Sequence, residues 1–169
     1  MGPLLALLLL PAAASAGSDE RIRPVLAELR LGDTLEEVQS IYPPATDWPS
    51  WKDPRGGVKR YKIERHMAKA FPTWTQVLHL GFKRGKLVEI QVIYDAKRSR
   101  DKPHEELAAD LSLHYGEPQR DNDRIWWSDG ETVLRVFLAE IPAVKEGERV
   151  VEWRTAMQIL REDLYRRAD

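Results

Sequence analysis

The chain has 169 residues, 26 Lys and Arg against 27 Asp and Glu, 43% apolar residues and no Cys. A formal charge of −1 excludes the broad positive field of a dedicated nucleic-acid-binding protein and the profile of an acidic disordered tail. With no Cys, disulfides, thiolate metal sites, a Cys nucleophile and lipid attachment through an N-terminal Cys are excluded as well.

Residues 1–16 carry no charged side chain, run apolar from Leu4 to Leu10, pass Pro11 and end in Ala14-Ser15-Ala16. This pattern predicts a secretory signal peptide cleaved after Ala16, with 17–169 forming a single α+β domain. The apolar run is about half of the ~20 residues a membrane-crossing helix needs, so no stable membrane anchor is expected. An exported chain without Cys fits a bacterial periplasm or exterior better than the disulfide-dense secreted class.

A short helix is expected around Pro24 to Arg30. Thr34 and Glu37 then stand at capping-box spacing and open a second helix, in which Leu35, Val38 and Ile41 share one face. Tyr42-Pro43-Pro44 stops it. A loop is predicted from Pro43 to Gly57, and Val58 to Met67 reads as a basic edge strand. The clearest element is a hairpin, Val77 to Phe82 and Leu87 to Asp95, turning at Lys83-Arg84-Gly85-Lys86. In its second arm Val88, Ile90, Val92 and Tyr94 alternate with a mostly polar set that includes Glu89 and Gln91.

Pro103 opens a helix with Leu107, Leu111 and Tyr115 on one side, closed by Gly116. Arg124 to Trp127 pairs with Thr132 to Glu140 through Asp129-Gly130. A further turn falls at Glu146-Gly147. The final strand, Arg149 to Leu160, sets Val151, Trp153, Thr155, Met157 and Ile159 on one side, which predicts Trp153 in the core. The expected fold is an antiparallel sheet with helices packed on one face, and one reading of the element order is two helix-then-strands repeats.

Leu31-Gly32-Asp33-Thr34-Leu35-Glu36-Glu37-Val38, with a proline after the helix, resembles the opening motif of the SmpA/OmlA and beta-lactamase-inhibitor-protein-like superfamily of small exported bacterial proteins. Tyr115-Gly116-Glu117-Pro118 leading into Trp126-Trp127 resembles it too. The resemblance implies a module that binds other envelope proteins and catalyses nothing. The chain departs from the pattern in having neither a lipoprotein Cys nor a Cys pair.

The residues themselves specify little chemistry. His66, His79, His104 and His114 occur singly, without the spacing that places two imidazoles on one helix face, so no metal is expected. Asp121-Asn122-Asp123 imitates a calcium loop, but its sixth position is Trp126 where Gly is needed. Glu36-Glu37 and Glu105-Glu106 are adjacent on helices and point apart. No phosphate loop or nucleophile elbow occurs, and no cofactor is expected.

Two features point to binding. Between Lys52 and Lys69 there are seven Lys or Arg against two acids, interleaved with aromatics. Trp48-Pro49-Ser50-Trp51 lies in a Pro-rich stretch, where a Trp can bury much area with few rotors to freeze. The expected function is an exported, non-enzymatic protein-interaction module of the bacterial envelope, binding another envelope or extracellular protein and no nucleic acid. Trp48 and Trp51 are its candidate anchors, beside Arg55, Lys59, Arg60, Tyr61 and Trp74. The alternative is a small exported hydrolase or ligand-binding protein in which His79, His66 and carboxylates converge in a pocket.

Overall fold

The computed structural model describes residues 21–54 and 56–165. The expected leader, 1–16, and Arg55 lie outside them. From the start of the described region, β1 (Val25–Leu26) and β2 (Leu29–Arg30) form a small ribbon. Helix α1 (Leu35–Ile41) leads to β3 (Ser50–Asp53), β4 (Val58–Glu64), β5 (Thr75–Lys83) and β6 (Lys86–Tyr94). Then α2 (Ala96–Asp101) and α3 (His104–Tyr115) precede β7 (Gln119–Asp121), β8 (Arg124–Ser128), β9 (Thr132–Lys145) and β10 (Glu148–Arg161), with a last turn, α4 (Glu162–Tyr165).

Eight strands make one antiparallel sheet in the order β3-β4-β5-β6-β10-β9-β8-β7. Two four-strand meanders are thus joined through their last strands. The expectation of an α+β fold with helices packed on a sheet is corrected by this arrangement. About half of the described residues are strand and about a fifth helix, and the helices are short, so the fold is β-rich. The helical periodicities are real but brief, and the long hydrogen-bonded ladders lie in strands that read individually as modest hairpins.

Other expectations shift for local reasons. Pro24 to Arg30 is a hairpin, not a helix, because Ala27 and Glu28 both take positive φ and reverse the chain within two residues. The loop from Pro43 to Gly57 contains β3, which pairs with β4 and removes β4 from the edge. The capping box of α1 forms as its spacing predicts: Glu37 N–H donates to Thr34 Oγ1 at 3.2 Å, and Thr34 N–H to the Glu37 carboxylate at 2.6 Å.

Period-two alternation sorts the sheet into two faces. Tyr61, Ile63, Leu78, Leu80, Ile90, Val92, Leu134, Ile159 and Trp127 belong to the main core, joined by Val38 from α1 and Ala108 from α3. The other face carries a smaller apolar cluster of Val77, Ile93, Ala139 and Ala156. β6 sits between β5 and β10, which explains why Glu89, placed by periodicity on a solvated side, is only 2% exposed.

Beyond Ala156 towards the turn at Glu146-Gly147, β10 is paired with β9 alone. This two-stranded ribbon leaves Val144, Val151 and Trp153 uncovered, and Trp153 is 53% exposed. Its assignment to the core fails because no third strand flanks it there. Among the described residues no helix is long and apolar enough to cross a membrane.

Candidate functional site

The face turned away from α1 and α3 carries a row of polar side chains drawn from five strands and crossing β5 at Gly81. Arg60 on β4 lies opposite Gly81 on β5, and Gly81 opposite Glu89 on β6. The Arg60 guanidinium donates to Glu89 at 2.5 Å and to Asp53 on β3 at 3.3 Å. The Gln158 amide on β10 donates to the other Glu89 oxygen at 2.5 Å. Arg135 on β9 reaches Gln158 Oε1 at 3.5 Å. Diagonal neighbours on a sheet face are close enough for long side chains to form such a chain. A buried carboxylate survives because two donors compensate its lost hydration.

Two recesses open on this face. The larger, about 880 Å³, is walled by His79, Gln91, Phe137 and Arg124 among others. The smaller, about 440 Å³, is walled by Arg60, Glu89, Trp126 and Val133. Arg135 and Gln158 line both. Trp51 on β3, 45% exposed, sets its ring edge-on to His79, in the wall of the larger recess, at 6.3 Å between centroids.

His79 lies between Lys62 on β4 and Gln91 on β6. Burial, reinforced by the Lys62 charge, holds its imidazole below the usual range. It is therefore a neutral ring at pH 7, able to donate one hydrogen bond and accept another. Among the described residues, no three His, Asp or Glu side chains gather closely enough to hold a metal ion. His66 is exposed on the single helical turn that follows β4, 3.8 Å from Glu64, while His104 sits beside Glu105 on α3.

The residues singled out from sequence separate into distinct places. Trp48 is buried, donates through Nε1 to the Met67 carbonyl at 3.0 Å, and packs edge-on against Tyr61. Tyr61 is itself buried and stacks edge-on with Phe82. Those two support the core as a column of rings, which makes Trp48 unavailable as an exposed anchor. Lys59 is exposed but on the core side, 5.1 Å above the Tyr61 ring. Trp74 is exposed in the turn before β5, with a positive φ of 63° and Lys97 from α2 5.1 Å from its ring. Of the candidates among the described residues, only Trp51 and Arg60 meet on the open face.

Arg135, Glu89, Gln158 and Gly81 carry that face and were not singled out from sequence. The available signal was a polar residue among apolar strand neighbours, at Glu89 and Gln91 in Leu87–Ile93 and at Gln158 in Ala156–Leu160. Asp121-Asn122-Asp123 is the β7 to β8 turn, with Asn122 at positive φ. Comparison with protein-family models, with curated proteins and with solved structures returned no match to this chain.

Proposed function

We propose that this chain is an exported protein-interaction module that binds a partner protein across the open face of its sheet and performs no chemistry there. One observation carries the reading. Two recesses meet at Arg135 and Gln158 on a face that mixes a half-exposed Trp with Arg and apolar side chains. Trp and Arg dominate the energetics of protein interfaces, and a recess bordered by them fits a projecting segment of another protein. The leader-like residues 1–16 and the resemblance of Leu31 to Val38 and Tyr115 to Pro118 to small envelope proteins support the export and the partner class. The expected location is the periplasm or the exterior.

The reading is tested by immobilising the wild-type protein and its Trp51→Ala variant in parallel and capturing from the native envelope fraction. A protein retained by the wild type and lost by a correctly folded Trp51→Ala variant supports it. Identical captures on both reject the open face as the contact surface. N-terminal sequencing of the protein from a non-cytoplasmic fraction, starting at Gly17, tests the export.

A second reading is favoured by His79, a neutral imidazole in the wall of the larger recess. In that case the recess takes a small polar ligand. Saturable small-molecule binding lost in His79→Gln, with protein capture unchanged, distinguishes it.

A further inference from the structure

We propose that Arg135 is the carboxylate receptor of the open face, and that the partner inserts an aspartate or glutamate side chain over the sheet centre beside Trp126 and Phe137. This rests on the open face being an interaction surface and adds the chemistry that it accepts.

Arg135 lies midway along the part of β9 that is paired on both sides, in register with Gln158 on β10 and Trp126 on β8. Its own-strand neighbours on the same face are Val133 and Phe137. A guanidinium has five N–H donors. Among the described residues Arg135 forms no ion pair, and its side-chain partner is the Gln158 amide oxygen, at the long distance of 3.5 Å.

The acids of the polar row are committed elsewhere, and Asp123 and Glu140, which line the larger recess with it, form no ion pair with it among the described residues. Glu89 accepts from Arg60 and from Gln158, and Asp53 accepts from Arg60. Asp121 accepts from Asn122 Nδ2 at 3.1 Å within the β7 to β8 turn. Glu162, in the wall of the smaller recess, accepts from Ser128 Oγ at 3.1 Å. The polar row thus delivers its negative charge to Arg60 at one end and leaves a guanidinium with unused donors at the other.

Complementarity follows from this imbalance. A planar carboxylate accepts two parallel N–H bonds from an arginine fork, a match that an ammonium or an amide does not give. Apolar neighbours exclude water and raise the worth of the pair over one formed in bulk solvent. Because Arg135 borders both recesses, a segment laid across the face passes it whichever recess it enters.

The test uses peptides of about twelve residues selected from a random display library on the purified protein. Those that shift amide NMR signals of β8, β9 and β10 are kept as open-face binders. The expected result is a shared Asp or Glu at one position, with affinity falling about tenfold or more when it is replaced by Asn or Gln. The same peptides should weaken by about tenfold or more against Arg135→Gln, and less against Arg135→Lys, which keeps the charge without the fork. Arg135→Glu should select Lys or Arg at that position instead.

Open-face binders without a shared acid, or with affinity unmoved by Arg135→Gln, overturn the carboxylate receptor while leaving the interaction surface standing. A selection that yields no open-face binder overturns both. Thermal melts of each variant separate lost recognition from lost folding, and the Asn and Gln peptides test the pairing on the unaltered protein.

Discussion

Gly81 and Glu89 face each other across β5 and β6, and a Cβ on Gly81 would stand 3.0 Å from Glu89 Oε2 and 3.0 Å from Val58 Cγ1. The missing side chain is what lets Arg60 pass over β5 to reach its carboxylate. Gly81 has no positive φ that would demand glycine, so Ala there would ordinarily stabilise by about 0.4–1 kcal/mol through the unfolded chain. Here both contacts must yield. Gly81→Ala is expected to destabilise by about 1–3 kcal/mol, read as a lower urea midpoint with unchanged slope.

Glu89 is the buried hub of the polar row. Glu89→Leu leaves the Gln158 amide N–H without its acceptor and Arg60 with Asp53, and the expected cost is about 3 kcal/mol. Arg60→Met combined with Glu89→Leu should cost less than the two single changes together. A double-mutant cycle by urea unfolding measures this, with a coupling of about 1 kcal/mol or more expected.

Trp48 and Trp51 lie three residues apart in sequence and on different sides of the fold. Trp48→Ala removes a buried ring packed on Tyr61 and a hydrogen bond to Met67, and should cost about 3–5 kcal/mol. Trp51→Ala should change stability by within about 0.5–1 kcal/mol. Equal losses in calorimetry would contradict the placement of one inside and the other outside.

His79 gives a pH dependence whose sign follows from its neutral folded state. Its folded pKa is below the ordinary 6.5, because burial and then Lys62 and Arg60 oppose protonation, with Glu89 acting the other way. In that window the unfolded chain binds the extra proton. The contribution is therefore full above about pH 6.5 and declines as pH falls towards the folded value. His79→Gln should flatten the fall in melting temperature between neutral pH and pH ~5.5, and imidazole NMR shifts should report the depressed titration directly.

Asp129 holds the β8 to β9 turn and the start of the described chain together, accepting from Glu131 N–H at 2.9 Å, Thr132 N–H at 2.7 Å and Ile22 N–H at 2.9 Å. Burial pushes its carboxyl up, but these donors outweigh it and hold the pKa below the ordinary 3.8. Its ionised form stabilises the fold above that value and the benefit fades as pH drops through the lower folded pKa. Asp129→Ala should lose about 1–2 kcal/mol at pH 7, and the gap to wild type should narrow in unfolding titrations below pH ~3.8.

Much of the local structure was readable. The Thr34–Glu37 cap, the Arg84-Gly85 and Glu146-Gly147 turns and the period-two strands each declare themselves within a few residues, because cap and turn chemistry is local. The class of the fold was not, since it depends on which strands pair, and the β6 to β10 contact spans more than sixty residues of sequence. For the same reason Glu89 read as a solvated position until β10 covered its flank. Trp51 was reachable from its Pro-rich surroundings. Arg135 was not, because its isolation is a property of the partners that its neighbours have already taken.

The joining of the meanders through their last strands has a consequence for assembly. β10, the final strand in chain order, occupies an interior position, so β6 presents a bare backbone edge until β10 arrives from the far side. An early-folding first meander would carry that open, apolar edge as a temporary hazard for pairing with a stranger. Completion of the sheet is a keystone event at its middle, and damage to β10 would split the molecule where damage to β3 or β7 would only trim it.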